Sequence, residues 1–401
     1  MKRGTDVTEM KRTYRTAVKG GFPEELILLL KKEYDLRYGE NPNQPAGAYK
    51  FKGTGMAELT NIQLVKSGKG GLSATNLMDV TRALDVLKFF KSPAVVVMKH
   101  VVPSGFAAQL QGNSLDQIYR NARDADARSA FGSIVVMNRP LDKATANVMK
   151  ETYVEGVAAP DYEEGAVEIL EGKKDMRLII FSNLDKLPKY VGDDVEGLYD
   201  LKILPTGRAI VQKPYLSSIK GSESLILDPL VRRKDEKTGV ETSYLVEKDP
   251  SPQEIEDLLT AWYVNIGVRS NGIVIVKDRV TLSVGSGQQE RVGAVEQAIT
   301  KAYQKALDRK NMQKNPNAAW TPGSMSWAEV KEQLGYNPLE GAALSSDAFF
   351  PFRDSVDLIA SASIKAIIQP GGSVKDYEVI QAVNEHRIAM AYTLERCFAH
   401  F

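Results

Sequence analysis

Five short runs of this chain are apolar at nearly every position: PAVVVM (93–98), SIVVM (133–137), LIIF (178–181), GIVIV (272–276) and KAIIQ (365–369). Runs rich in Val and Ile, without polar alternation, predict strands covered on both faces. Between them apolar residues recur at helical spacing. SLDQIYRNARDAD, ATANVMKETYVEG, SPQEIEDLLTAWYVNIG, RVGAVEQAITKAYQKALDRK and KDYEVIQAVNEH read as amphipathic helices, several opening on a capping Ser or a Gly-Gly-Ser turn. Buried strands alternating with such helices predict a layered α/β fold with a largely parallel sheet.

The pattern is interrupted by two polar, turn-rich stretches, 231–250 and 310–327, read as exposed excursions. No short repeat period is visible, which argues against a solenoid. A chain of 401 residues exceeds one small core. The expected organisation is an N-terminal extension (1–24), a first subdomain (25–215) and a second (216–401) carrying a helical insertion near 300–340.

Composition narrows the classes of function. Lys plus Arg number 52 and Asp plus Glu 51, so no net field gathers nucleic acid or an acidic membrane. No apolar run is long enough to span a bilayer, and the basic start lacks the apolar core of a secretory signal. The single cysteine, Cys397, cannot form a disulfide within the chain, which favours a cytoplasmic location. With three histidines and one cysteine, the ligand set of a zinc deaminase cannot be assembled. Cys397 has only His400 nearby as a partner for nucleophilic chemistry.

Polar constellations fall at strand ends, where open α/β sheets bind ligands beyond the carboxyl edge. PAVVVM runs into Lys99 and His100; Asp347, Phe349, Phe350 and Asp354 follow GAALSS; KAIIQ runs into Pro370 and two glycines. Each has a structural reading beside a functional one. A histidine after a strand often only satisfies a hydrogen bond. The phenylalanines of AFFPF suit a core. PGGSVKD could hold an anion or merely cap a helix. GSGQQER lacks the full GxGxxG spacing of a dinucleotide loop.

Taken in order, LRYGENPNQPA, KHVVPSG, SAFGSIVVMNRPLD, APDYEEGAVEIL, RSNGIVIVKD, GSGQQER, SSDAFFPFRD, IQPGGSVKD and ERCFAH resemble AICAR transformylase, from about Tyr34 to the end. That is the formyltransferase half of the bifunctional purine-biosynthesis enzyme that also carries IMP cyclohydrolase. With only some thirty residues before LRYGENP, the resemblance is to a stand-alone transformylase without the cyclohydrolase. It implies two cytidine-deaminase-like layered subdomains without zinc, and a homodimer with sites at the interface. The implied reaction moves the formyl group of 10-formyltetrahydrofolate to the 5-amino group of AICAR, giving FAICAR and tetrahydrofolate.

The resemblance also implies roles. His100 is the base, Lys99 its adjacent cation, and Asn271 positions the amine or the oxyanion. For both Lys99 and His100 to reach one site the strand must end and turn, with Pro103 and Gly105 read as the turn. Arg37, Tyr38 and Arg396 belong on the phosphate side, and Arg291 and Gly132 on the nucleotide. Glu155 lies near the ribose, Phe349 faces the AICAR ring, and Phe398 and His400 close the site. Asp354, Phe350 and Pro370 meet the folate, and Ser270 and Asp347 mark a monovalent cation, potassium. Val102 and Ser104 depart from the family loop, which commonly has Asn or Ser and then Cys or Ala there. A non-catalytic AICAR- or folate-binding paralogue is the alternative.

Overall fold

The protein is described from a computed structural model, which covers residues 4–10, 21–52, 59, 61–315 and 318–401. Most of the N-terminal stretch 1–24 therefore lies outside the described residues. An eleven-stranded mixed sheet forms the centre. In chain order its elements begin with β1 (Ile62–Lys66), α1 (Ala74–Leu87), β2 (Ala94–Lys99), β3 (Val102–Ala108), α2 (Leu115–Ala125) and β4 (Ile134–Met137). They continue with α3 (Lys143–Lys150), β5 (Gly156–Ala159), α4 (Ala166–Glu171) and β6 (Arg177–Phe181). After a long connection come α5 (Pro252–Asn265), β7 (Ile273–Lys277), β8 (Val280–Gly285), α6 (Arg291–Lys314) and α7 (Trp327–Leu334). The chain closes with β9 (Ala343–Ser346), α8 (Asp354–Ser361), β10 (Ala366–Gln369), α9 (Asp376–Glu385) and β11 (Ala389–Tyr392).

All five apolar runs are strands, and four of the five helical patterns fit their helices closely; α3 stops at Lys150, six residues before the end of its pattern. The sheet is not largely parallel. Its order is β11-β10-β9-β7-β8-β3-β2-β4-β5-β6-β1, with parallel pairs only among β4–β6 and β9–β11. The cause is a tight hairpin at the heart of each half, β2–β3 and β7–β8, which forces antiparallel pairing there.

The order of elements repeats. A helix, a hairpin, a helix and three strands joined by helices occur first over α1–β6 and again over α5–β11. Residue 215 lies in the connection between the repeats. They meet where β3 pairs antiparallel with β8, so one sheet runs through both.

Alternation along the strands makes the sandwich. Val96 and Met98 of β2 and Val274 and Val276 of β7 enter the core beneath α1 and α5. Val95 and Val97 face the core of α2–α4, and Ile273 and Ile275 that of α6–α9. Among the described residues no helix is long and apolar enough to cross a membrane.

The 231–250 stretch is exposed over most of its length, as expected, and is built on a regular hairpin. Pro229–Lys234 and Glu241–Leu245 form a hairpin, and Thr5–Asp6 adds to it in parallel. Val231, Val246 and Val7 are buried there, which anchors an otherwise polar ribbon.

Candidate active site

The antiparallel β3–β8 junction decides where the candidate residues meet. One end of the sheet gathers the carboxyl ends of β2 and β8–β11 with the amino ends of β3–β7. Lys99, Gly132, Glu155, Asn271, Asp347 and Pro370 all lie along it. The expectation of carboxyl ends alone therefore holds in full for neither repeat: Asn271 precedes β7 in the second, and the first departs further. There, Gly132 and Glu155 precede β4 and β5, because those strands run opposite to β2.

The turn after β2 is not made by Pro103 and Gly105. Lys99 pairs with Val102, and His100 and Val101 are the two turn residues, at φ 54° and 67°. Both positive values follow the type I′ pattern that suits a tight hairpin, though a β-branched residue rarely adopts one. Pro103 and Gly105 lie within β3. Gly105 is needed for another reason: a Cβ there would collide with the Ala122 carbonyl of α2. The Val101 amide donates to Asp79 Oδ1 at 2.6 Å. Asp79 is buried on α1, and burial pushes its carboxyl up to about 7.

Lys99 Nζ donates to the carbonyls of Gly132 at 2.7 Å and Phe131 at 3.3 Å. Gly132 has φ 67°, and a Cβ there would sit 3.4 Å from that ammonium. The exposed His100 borders two cavities, of about 210 and 460 Å³. Val102 borders both, half-buried against the core, and the Ser104 hydroxyl is tied to the Val97 carbonyl at 3.1 Å. Neither departure from the family loop therefore disturbs the turn.

On the other side of the junction Asn271, Arg291 and Asp347 form one network. Arg291 donates to Asn271 Oδ1 at 2.7 Å and pairs with Asp347 Oδ1. Asn271 Nδ2 donates to the Gln289 carbonyl at 3.1 Å, which fixes the orientation of its amide. Asp347 Oδ2 accepts from the Gly272 amide at 2.8 Å. With both carboxylate oxygens engaged and its charge met by a guanidinium, Asp347 is a poor ligand for a monovalent cation. The Ser270 hydroxyl accepts from the Ala399 amide at 3.1 Å, so it too is used internally.

The C-terminal tail returns toward the junction. The Cys397 amide donates to the Asp347 carbonyl at 3.1 Å, and the Ser270 amide donates to the Ala399 carbonyl at 3.0 Å. Arg396 lies over the Phe398 ring, which meets His400 edge-on. Phe398, His400 and Phe401 line a cavity of about 450 Å³ with Arg82 and Lys202. Burial pushes the Cys397 thiol well up, the opposite of what an activated nucleophile requires.

Other candidates lie toward the wings. Arg37 stacks near Tyr38 beside Gly70, and the Tyr38 carbonyl accepts from Ala74 at the start of α1. Glu155 is paired at 3.1 Å with Arg177, whose guanidinium also holds the Lys69 and Gly71 carbonyls. Phe349 is half-buried and Asp354 exposed at the start of α8. Phe350 is fully buried in the core, so its ring cannot meet a folate. Pro370 is buried as well. The PGGSVKD loop is not an open anion site: Asp376 already accepts from the Gly372 amide at 2.9 Å and the Ser373 amide at 3.0 Å.

Four residues near the site have no sequence signal that singles them out. Asp79 holds the turn. Arg82 lies over the Phe401 ring, 4.2 Å from its centroid. Arg269 shares the His100 cavity, and Arg177 orders the Gly70–Gly71 loop. Asp79, Arg82 and Arg177 each meet a neighbour distant in sequence; Phe401, noted only as an unusual last residue, is the ring beneath Arg82.

Comparison with known proteins gives a consistent result. Residues 7–301 match the family described as AICARFT/IMPCHase bienzyme. The chain is 39% identical over 385 residues to the bifunctional purine biosynthesis protein PurH of Magnetococcus marinus, covering 95% of this chain and 62% of that protein. It is 37% identical to the namesake from Persephonella marina, covering 94% of this chain and 62% of the relative. It is 31% identical to that from Dictyostelium discoideum, covering 99% and 62%. The chain thus spans about 62% of the length of these curated relatives.

Proposed function

This chain belongs to the AICARFT/IMPCHase bienzyme family, and we propose from that premise that it transfers the formyl group of 10-formyltetrahydrofolate to the 5-amino group of AICAR. The observation that carries the reading is the meeting, at one sheet end, of the Lys99–His100 turn with the Asn271–Arg291–Asp347 network.

The amine of AICAR is conjugated with its ring and carboxamide, so it needs a proton removed as it attacks the formyl carbon. An imidazole is the commonest general base for such a step, and His100 presents one to the cavities it borders. The new C–N bond leaves an oxyanion that must be stabilised. An ammonium has three donors, and Lys99 uses two on the Phe131 and Gly132 carbonyls. The third is directed at the oxyanion. Asn271 offers its second amide proton, the first being held by Gln289. As the carbon–N10 bond breaks, the proton passes from His100 to N10, giving FAICAR and tetrahydrofolate. Arg291 binds and orients Asn271.

We further propose that Arg37, Tyr38, Arg396, Phe398 and His400 hold the nucleotide, that Asp354 meets the pterin edge, and that the working form is a homodimer. A spectrophotometric assay tests the reaction: the purified chain consumes 10-formyltetrahydrofolate only when AICAR is present, and FAICAR accumulates without onward conversion to IMP. Folate consumption that ignores AICAR, or none with polyglutamylated folate and added potassium, sinks the reading. AICAR binding without any transfer selects the non-catalytic paralogue.

A further inference from the structure

We infer that Asp79 is a positioning residue for the reaction: its carboxylate holds the main-chain turn that aims His100. The inference rests on the formyl-transfer reading for its kinetic consequence and on geometry alone for its structural one.

His100 forms no side-chain hydrogen bond among the described residues, so its imidazole is placed by its own backbone. That backbone is unusual. His100 and Val101 both have positive φ, which a β-branched valine adopts only when its surroundings impose it. The imposed contact is specific. The Val101 amide is satisfied by Asp79 Oδ1 at 2.6 Å, from a buried carboxyl on the inner face of α1.

The second repeat contains the same device. The turn between β7 and β8 is Asp278–Arg279, again at positive φ in both residues, and again preceded by a lysine, Lys277. The buried Asp257 accepts from the amides of Asp278 at 3.0 Å and Arg279 at 2.7 Å. Asp79 and Asp257 are each the sixth residue of the helix that precedes the hairpin. The second turn lies at the opposite end of the sheet, where Arg279 bonds the Gln109 carbonyl and the Ser92 hydroxyl. One aspartate-held turn therefore carries the base and the other carries only structure. The molecule supplies its own control.

The experiment compares Asp79→Ala, Asp79→Asn and Asp257→Ala in the full chain. Asp79→Ala lowers kcat about 10- to 100-fold, while KM for AICAR stays within about threefold, because the turn positions the base rather than the nucleotide. Asp79→Asn, whose amide oxygen can accept the same N–H, restores most of kcat. Asp257→Ala lowers Tm by as much as Asp79→Ala but leaves kcat unchanged. Should Asp79→Ala not fold, Asp79→Leu fills the volume without an acceptor and is read in the same way. Retained kcat in the acceptor-free variant, or equal loss of kcat in Asp257→Ala, overturns the inference.

If the wild-type chain transfers no formyl group, the reaction reading fails and the positioning is read directly. The three histidines give three imidazole Cε1–H correlations by NMR. The His100 signal moves in Asp79→Ala and not in Asp257→Ala; an unmoved signal overturns the inference.

Discussion

At the scale of single residues, the imidazole of His100 differs from its neighbours in having no hydrogen-bond partner among the described residues. Lys99 is committed to two carbonyls, and Asn271 to Arg291 and Gln289. That leaves His100 as the side chain free to exchange a proton with a ligand in the cavities it borders. His100→Ala should lower kcat by about 10²- to 10⁴-fold, the usual worth of a general base. Because the nucleotide contacts lie elsewhere, the Kd for AICAR by calorimetry should change only a few-fold. Normal turnover in that variant would remove His100 as the base. The KHVVPSG motif was legible because a Lys-His pair ends an otherwise apolar run. Asp79 was not, since its partner is an amide 22 positions away and no sequence pattern records a backbone contact. Phe350 was misread because two adjacent phenylalanines look alike in sequence, while the chain buries one and half-exposes the other.

At the scale of elements, continuous apolar runs were legible because both faces of a central strand are covered. Their directions were not legible, because a two-residue turn reverses a strand with almost no signature when its residues are His and Val. The helix α1 also escaped the periodicity, although it carries Asp79 across to the β2–β3 turn. This packing has a pH signature. Burial raises the Asp79 carboxyl from 3.8 to about 7, against the lowering effect of the Val101 amide and Lys99. Between those values the folded chain keeps a proton that the unfolded chain has released. Stability attributable to this group therefore falls as pH rises from about 4 to about 7, and is level above that. Asp79→Asn removes the titration. In urea unfolding the variant should gain on the wild type across that window, by at most about 4 kcal/mol, with the gap constant at higher pH. A gap that does not change would show that the carboxyl titrates normally, and one that narrows as pH rises that the fold lowers its pKa.

At the scale of the whole molecule, the repeat explains why the site residues are spread so widely. Arg37 stands beside Gly70, in the loop between β1 and α1 that Arg177 of β6 ties down, and Phe349 follows β9. Seven strand spacings separate β6 from β9 in the sheet order, or about 34 Å at ~4.8 Å per spacing. That is far longer than one ribonucleotide, yet both residues are proposed to touch the same one. On that spacing, the homodimer proposed above would draw each site from two copies of the chain. A symmetric dimer with two composite sites meets this requirement. Arg37→Ala and Phe349→Ala should each be nearly inactive as homodimers. When the two are unfolded together and refolded as a mixture, half of the dimers are mixed, and each of these has one site free of both substitutions. Activity should then recover to about a quarter of the wild-type level. A mixture no more active than its parents would place both residues in one site of one chain, and the sheet-end separation would have to be bridged by a change of shape instead.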